Sequence, residues 1–200
     1  MHTHKFWHSR GYLPHCDVPG LLQSITFRLA DSLPVEALHR LLQEEKDDLI
    51  RYKRIEQLLD TGHGACWLRQ AAVANIVEHA LLHGDGKRYR LLAWCVMPNH
   101  IHVLIETNFA YPVSKIVQGW KSYTARLINQ HLGRSGSVWM RDYFDRYIRD
   151  DHHFAAVIAY IHSNPVKAGL VSHEQEWPYS SARLGASTSP GAPTSPSAII

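Results

Sequence analysis

Residues 89–106 constrain the fold more than any other stretch of this chain. From Tyr89 to Met97 the sequence is nearly all apolar at Leu91-Leu92-Ala93-Trp94-Cys95-Val96, which predicts a strand buried on both faces. Pro98-Asn99 then makes a tight turn. His100 to Glu106 alternates cleanly, with Ile101, Val103 and Ile105 on one face and His100, His102, Leu104 and Glu106 on the other. A one-residue slip of that strand would exchange its two faces, so the pattern fixes which side chains enter the core.

The remaining elements are read around this pair. Residues 22–30 are β-branched and partly alternating, and predict a first strand. Ser32 and Pro34 signal the start of a helix over 35–60, with Leu38, Leu41, Leu42, Leu49, Tyr52, Ile55 and Leu59 at helical spacing. Asp60-Thr61-Gly62-His63-Gly64 breaks it, and a second helix is expected from about Trp67 to Leu82, with Leu68, Ala71, Ala72, Ile76 and Ala80 inward. Pro112 opens a third helix whose inner stripe is Val113, Ile116, Val117, Trp120, Thr124, Leu127 and Ile128, and Gly133 stops it. Residues 137–149, rich in aromatics, predict a fourth strand. Asp150 or Asp151 caps a last helix with Phe154, Val157, Ile158 and Ile161 inward, ending near Asn164-Pro165 because the residue before proline disfavours helical angles.

The order β-α(α)-β-β-α-β-α is that of a ferredoxin-like split βαβ fold, an α+β class with a mostly antiparallel sheet and added helices. Two hundred residues suit one such domain. It is expected over 21–184, after an N-terminal arm over 1–20. Residues 185–200 carry no charge and hold 14 Gly, Ala, Ser, Thr or Pro out of 16, which predicts a disordered tail. Cys16, Cys66 and Cys95 are odd in number and far apart, so a disulfide framework and a thiolate zinc site are not expected. No apolar run reaches the roughly 20 residues of a membrane span. The expected setting is a reducing cytoplasm, with no membrane partner.

Candidate chemistry begins with His100-Ile101-His102. Residues i and i+2 of a strand project from one face about 6.5–7 Å apart, close enough for two imidazoles to hold one cation. With 15 histidines in the chain, chance pairs also occur, and the pair alone leaves both readings open. Tyr160 and Asn164 lie one helical turn apart on one face. An amide oxygen can ligate a cation, and a phenol beside it can reach a phosphate bound there. A half-buried ring with its hydroxyl in water is the plain alternative for Tyr160. Net charge is only +3, but residues 87–149 hold ten basic and three acidic residues, against five basic and seven acidic over 35–60. Lys115, Lys121 and Arg126 fall off the apolar stripe of their helix and are expected in solvent. Trp139, Arg141, Tyr143, Phe144, Arg146 and Tyr147 interleave bases with aromatics, as platforms for single-stranded nucleic acid do.

Met97-Pro98-Asn99-His100-Ile101-His102-Val103-Leu104 resembles the His-hydrophobe-His strand of the single-tyrosine transposases. Tyr143-Phe144-Asp145-Arg146-Tyr147-Ile148-Arg149, followed by Tyr160-Ile161-His162-Ser163-Asn164-Pro165-Val166-Lys167-Ala168-Gly169-Leu170, is similar to the C-terminal signature of the REP-associated tyrosine transposases. Arg10 to His15, Thr26 to Pro34 and Trp177 to Ser181 look like the same group, so the resemblance covers about residues 8–183. It implies a metal-dependent single-strand DNA endonuclease and strand-transferase acting on palindromic repeats folded as hairpins. By motif position, His100 and His102 would ligate Mg²⁺ or Mn²⁺, Asn164 would complete the metal set and Tyr160 would be the nucleophile. Insertion-sequence relatives tend to carry glutamine where this chain has Asn164. The basic residues Lys115, Lys121, Arg126, Arg141, Arg146, Arg149 and Lys167 are the candidate DNA contacts. Tyr143 and Tyr147 are rival nucleophiles. A hairpin-binding protein without chemistry and a hydrolase that activates water are rival functions. A monomer is expected, with a dimer as the alternative.

Overall fold

A computed structural model describes residues 7–9, 14–16, 18–45 and 47–185. The expected tail beyond 185 and most of the expected arm lie outside these residues. At the centre, β4 (Tyr89–Val96) and β5 (His100–Thr107) form a hairpin closed by Met97 N–H donating to the His100 carbonyl at 2.9 Å. On the other side of β5 runs β3 (Leu22–Arg28), antiparallel, with Thr26 opposite His102. The strand β6 (Phe144–Tyr147) pairs with the outer edge of β3. The sheet order is β4-β5-β3-β6, all antiparallel, which is the expected ferredoxin-like topology.

Alternation along β5 divides the core in two. Ile101, Val103 and Ile105 join Ile25, Phe27 and Leu29 beneath α3 (Ala71–His83) and α4 (Val113–His131). On the opposite face Leu104, Ala93, Cys95 and Met97 pack under α5 (Asp151–Lys167) through Ile161. Each fully buried aliphatic side chain contributes about 1.5–3 kcal/mol. His100 and His102 share the α5 face, so the alternation that builds the core also brings α5 over both imidazoles.

Several expectations are corrected. The helix foreseen over 35–60 is two helices, α1 (Val35–Glu44) and α2 (Asp48–Asp60), that share an apolar cluster of Leu33, Leu41, Ile55 and Leu59. Glu45 is extended, and the Asp47 side chain accepts the Ile50 N–H at 3.1 Å, so a new N-cap restarts the helix. On α3 the inner face is Val73, Ala74, Val77 and Leu81, while Ala71 and Ala72 are exposed. A separate 3₁₀ turn at Trp67–Arg69 resets the helical phase there. The fourth strand pairs over only four residues. Before it, the Lys121 amine takes the carbonyls of Met140, Arg141 and Asp142 at 3.0, 3.3 and 2.9 Å, which removes them from a ladder. Helix α5 runs through Pro165 to Lys167, because complete burial of Asn164 and Ile161 outweighs the local preference. Gly169, in the left-handed region at φ +67°, follows its end.

Gly64 is required by its surroundings: with φ at +86°, an added Cβ would stand 2.5 Å from the Asp31 carbonyl oxygen. This turn returns the chain from the end of α2 to the sheet. Trp177 donates its indole N–H to the Val96 carbonyl at 2.9 Å, and Val96 N–H reaches the Tyr179 carbonyl, so the C-terminal segment covers the β4 edge.

Two short strands, β1 (Trp7–Ser9) and β2 (Pro14–Cys16), pair with each other. His15 on β2 is buried, with Nε2 3.0 Å from Asp142 Oδ1 and Nδ1 bonded to Asp145. Burial alone would lower its pKa, but the two carboxylates outweigh it and raise it to about 9. The imidazolium therefore stabilises the fold fully below its unfolded value of 6.5 and stops doing so as pH rises through about 9. The expected loss is about 3 kcal/mol. Urea unfolding at about pH 6 and about pH 10 reads it, and in His15→Gln most of the difference should vanish.

Candidate active site

Both imidazoles of the His-x-His strand are 1% exposed. Their Nε2 atoms converge to 3.0 Å, and the rings meet nearly edge to face. Each Nδ1 has a polar partner: Asn99 Oδ1 at 2.7 Å for His100, and Thr26 Oγ1 at 2.9 Å for His102. Asn99 can act only as acceptor, because its amide N–H groups already donate to the carbonyls of Leu59 and His63, both at 3.1 Å. His100 therefore carries its proton on Nδ1 and offers a lone pair at Nε2. The Thr26 hydroxyl can donate or accept, so the His102 tautomer can follow whatever meets its Nε2. Burial drives the pKa of both rings down, His102 to about 3 with help from the Lys167 charge. Both are neutral at any physiological pH.

Helix α5 places Tyr160 over this pair, its ring 5.3 Å from that of His102 at 81°. The phenol hydrogen-bonds with the side chains of Glu56 and Asn164. Burial, and next the Glu56 charge, push its pKa well above the usual phenol value. Lys167 stands 4.7 Å above the ring. Asn164 is fully buried; its amide donates to the Tyr160 carbonyl at 3.0 Å, and its Oδ1 has no hydrogen-bond partner.

The end of α2 adds two carboxylates one turn apart. Glu56 Oε1 is 4.0 Å from His102 Nδ1, and Asp60 Oδ1 is 3.9 Å from His100 Nε2. Burial raises Asp60 to about 6, against the opposing charge of Lys167. Sequence reading missed these two, and also Thr26. Their signal in the sequence is an i, i+4 acidic pair, Glu56 and Asp60, at the end of the helix expected over 35–60.

The donors suit a divalent cation. Two ligands about 2.1 Å from a metal and at right angles lie about 3.0 Å apart, the separation of the two Nε2 atoms. The bonded Nδ1 atoms orient both rings, and the orphaned Asn164 oxygen is a hard donor. Among the described residues, no three His, Cys, Asp or Glu side chains are already closed into ligand geometry.

Other predicted residues fall elsewhere. Tyr147 pairs with Gln23 on the sheet face away from the histidines, and Tyr143 is buried in the opposite core beside His15. Trp139 is likewise core, so two of the four rings in the aromatic–basic stretch are buried, while Tyr147 is exposed. Lys115 and Arg126 are exposed on α4, across the sheet from the site. Lys121 is not in solvent as expected; burial, partly offset by Asp142, lowers its pKa to about 8. Arg141 and Arg149 are exposed, and Arg146 pairs with Ser24 on the site's face of the sheet.

Residues 71–164 match a family model described as transposase IS200 like. Over 103 residues the chain is 30% identical to a putative REP-associated tyrosine transposase of Haemophilus influenzae, covering 46% of this chain and 58% of that one. The chain is similar to the REP-associated tyrosine transposases. A relative from Escherichia coli is 24% identical over 108 residues, covering 52% of this chain and 62% of its own length. The chain thus spans less than two thirds of either curated relative. A solved REP-associated tyrosine transposase, bound to a REP hairpin, superposes with a TM-score of 0.56 at 17% identity, covering 85% of this chain and 81% of its own, and shows that the transposase shares this fold. Among the described residues no helix is long and apolar enough to cross a membrane.

Proposed function

We propose that this protein is a transposase-like enzyme that nicks and rejoins single-stranded DNA at palindromic-repeat hairpins through Tyr160. The observation that carries the reading is the convergence of the His100 and His102 Nε2 atoms beneath the Tyr160 ring. In the reaction the Tyr160 oxygen bonds to a backbone phosphorus, and the bond from that phosphorus to the 3′ oxygen breaks. The products are a 5′-phosphotyrosine and a 3′-hydroxyl, and the energy kept in the ester allows reversal onto a new 3′ end. Glu56, already hydrogen-bonded to the phenol, is the first acceptor that its proton meets. A divalent cation, Mg²⁺ or Mn²⁺, held by His100, His102 and Asn164, would polarise the scissile phosphate. Lys167 stands beside the tyrosine, where it can meet phosphate charge. Arg146 lies on the same face of the sheet. Lys115, Lys121, Arg126, Arg141 and Arg149 are not gathered at the site, so any DNA contact they make is to flanking strand or hairpin stem. Tyrosine and histidines come from one chain, which supports a site complete in a monomer.

The test uses labelled single-stranded hairpin oligonucleotides on a denaturing gel. The expected result with Mn²⁺ is a slow, protease-sensitive band that disappears with chelator. Retardation on a native gel with no cleavage in any metal would instead select the silent hairpin-binding protein.

A further inference from the structure

We propose that Asp60, from the end of α2, is a ligand of the same cation as His100 and His102. The proposal rests on the reading that the histidine pair holds a metal. Asp60 lies outside the residues 71–164 that match the family model.

Four observations carry it. First, Asp60 Oδ1 is 3.9 Å from His100 Nε2, the unprotonated nitrogen that also faces His102 Nε2, and closing to a shared cation takes a carboxylate shift of about 1 Å. Second, Asp60 Oδ1 is buried without a hydrogen-bond partner, and so is Asn164 Oδ1 on the helix that carries Tyr160. One stands beside the histidine pair and the other on the residue that bonds the phenol above it, and a cation that reaches both satisfies both. Third, Asp60 is the last residue of α2, whose final turn holds no basic residue. A carboxylate there faces the negative end of the helix dipole, and a metal ion reverses that disadvantage. Fourth, two neutral imidazoles and an amide bring no charge to a buried divalent cation. They are also softer as a set than Mg²⁺ or Mn²⁺ prefers, and one carboxylate corrects both faults.

The position is held, not incidental. Asn99 donates to the Leu59 and His63 carbonyls and accepts from His100 Nδ1, so one side chain sets both Asp60 and His100. A cavity of about 130 Å³, lined by Asp60, Asn99, His100, Met97 and Arg69, gives room for waters that complete the coordination. Glu56 is not assigned the same role. It approaches the His102 Nδ1 side, which Thr26 occupies, and it bonds the phenol.

Mn²⁺ binding to the whole protein, followed by electron paramagnetic resonance and calorimetry without DNA, tests this. Asp60→Asn is expected to weaken Mn²⁺ binding by at least about 10- to 100-fold, since loss of even an outer partner costs that much. Without metal, its melting temperature should match or exceed that of the unaltered chain, because the uncompensated carboxylate is gone. The rise in melting temperature that Mn²⁺ gives should shrink in the variant. His102→Ala is the reference. If His102→Ala loses Mn²⁺ while Asp60→Asn binds it unchanged, Asp60 is not a ligand and the histidine reading stands. If the unaltered chain binds no Mn²⁺, the histidine reading falls and this proposal with it.

Discussion

Phenylalanine in place of Tyr160 is expected to abolish covalent capture of DNA, lowering cleavage by at least about 10³-fold, while hairpin affinity stays within about twofold. The substitution removes one oxygen and keeps the ring. The contacts that position the ring therefore survive: its edge against His102 at 5.3 Å and the Lys167 amine at 4.7 Å. What is lost is the phenol that stands over the histidine pair, while the rivals Tyr147 and Tyr143 lie on the other sheet face and in the other core. Removing the bond to Glu56 costs about 1 kcal/mol, too little to unfold the domain. The check is a denaturing gel for the adduct and a native gel for binding, with Tyr143→Phe and Tyr147→Phe alongside. Cleavage undiminished in Tyr160→Phe, and free of attached protein, would transfer the role of nucleophile to water.

The pattern of residues 89–106 was legible because strand alternation has an unambiguous period, and it carried both the sheet and the position of the histidines. The sheet order followed from connection rules once four strands were named. The site was legible in part. His100 and His102 share a face by strand geometry alone, and Tyr160 and Asn164 share one by helix geometry, but only packing brings the two faces together. Glu56 and Asp60 could not be placed, because their distance from the histidines depends on how α1 and α2 fold back. That return depends on Asp47 as a cap and on Gly64 against Asp31. Lys121 failed for a related reason: a helix wheel places it off the stripe, yet three carbonyls from an irregular segment bury its amine. Local periodicity reports which residues share a face. It does not report what a loop will lay across that face.

The largest stability effect is expected from Phe27→Ala, at about 3–5 kcal/mol. Phe27 is 1% exposed, with Trp120 stacked at 6.1 Å and Trp139 edge-on at 5.1 Å. Aromatic pairs add to the burial term, and two large indoles cannot collapse into the space of a third ring without leaving their own bonds. Trp120 donates its indole N–H to the Tyr89 hydroxyl and Trp139 to Thr124, both at 2.9 Å, so the neighbours are held and the cavity stays open. Against a total of about 5–15 kcal/mol, this is a large share. Urea denaturation should show a lower midpoint with an unchanged slope, and the melting temperature should fall by about 6–20 °C. The loss should also reach the site, because Phe27 is next to Thr26 on β3 and opposite Ile101 on β5. Thr26 holds the His102 ring from one face of the sheet while Phe27 anchors the same strand from the other. A loosened β3 should weaken Mn²⁺ binding even though no ligand has been altered, whereas a truncation equally deep but remote from β3, such as Leu81→Ala, should lower stability and leave Mn²⁺ affinity unchanged.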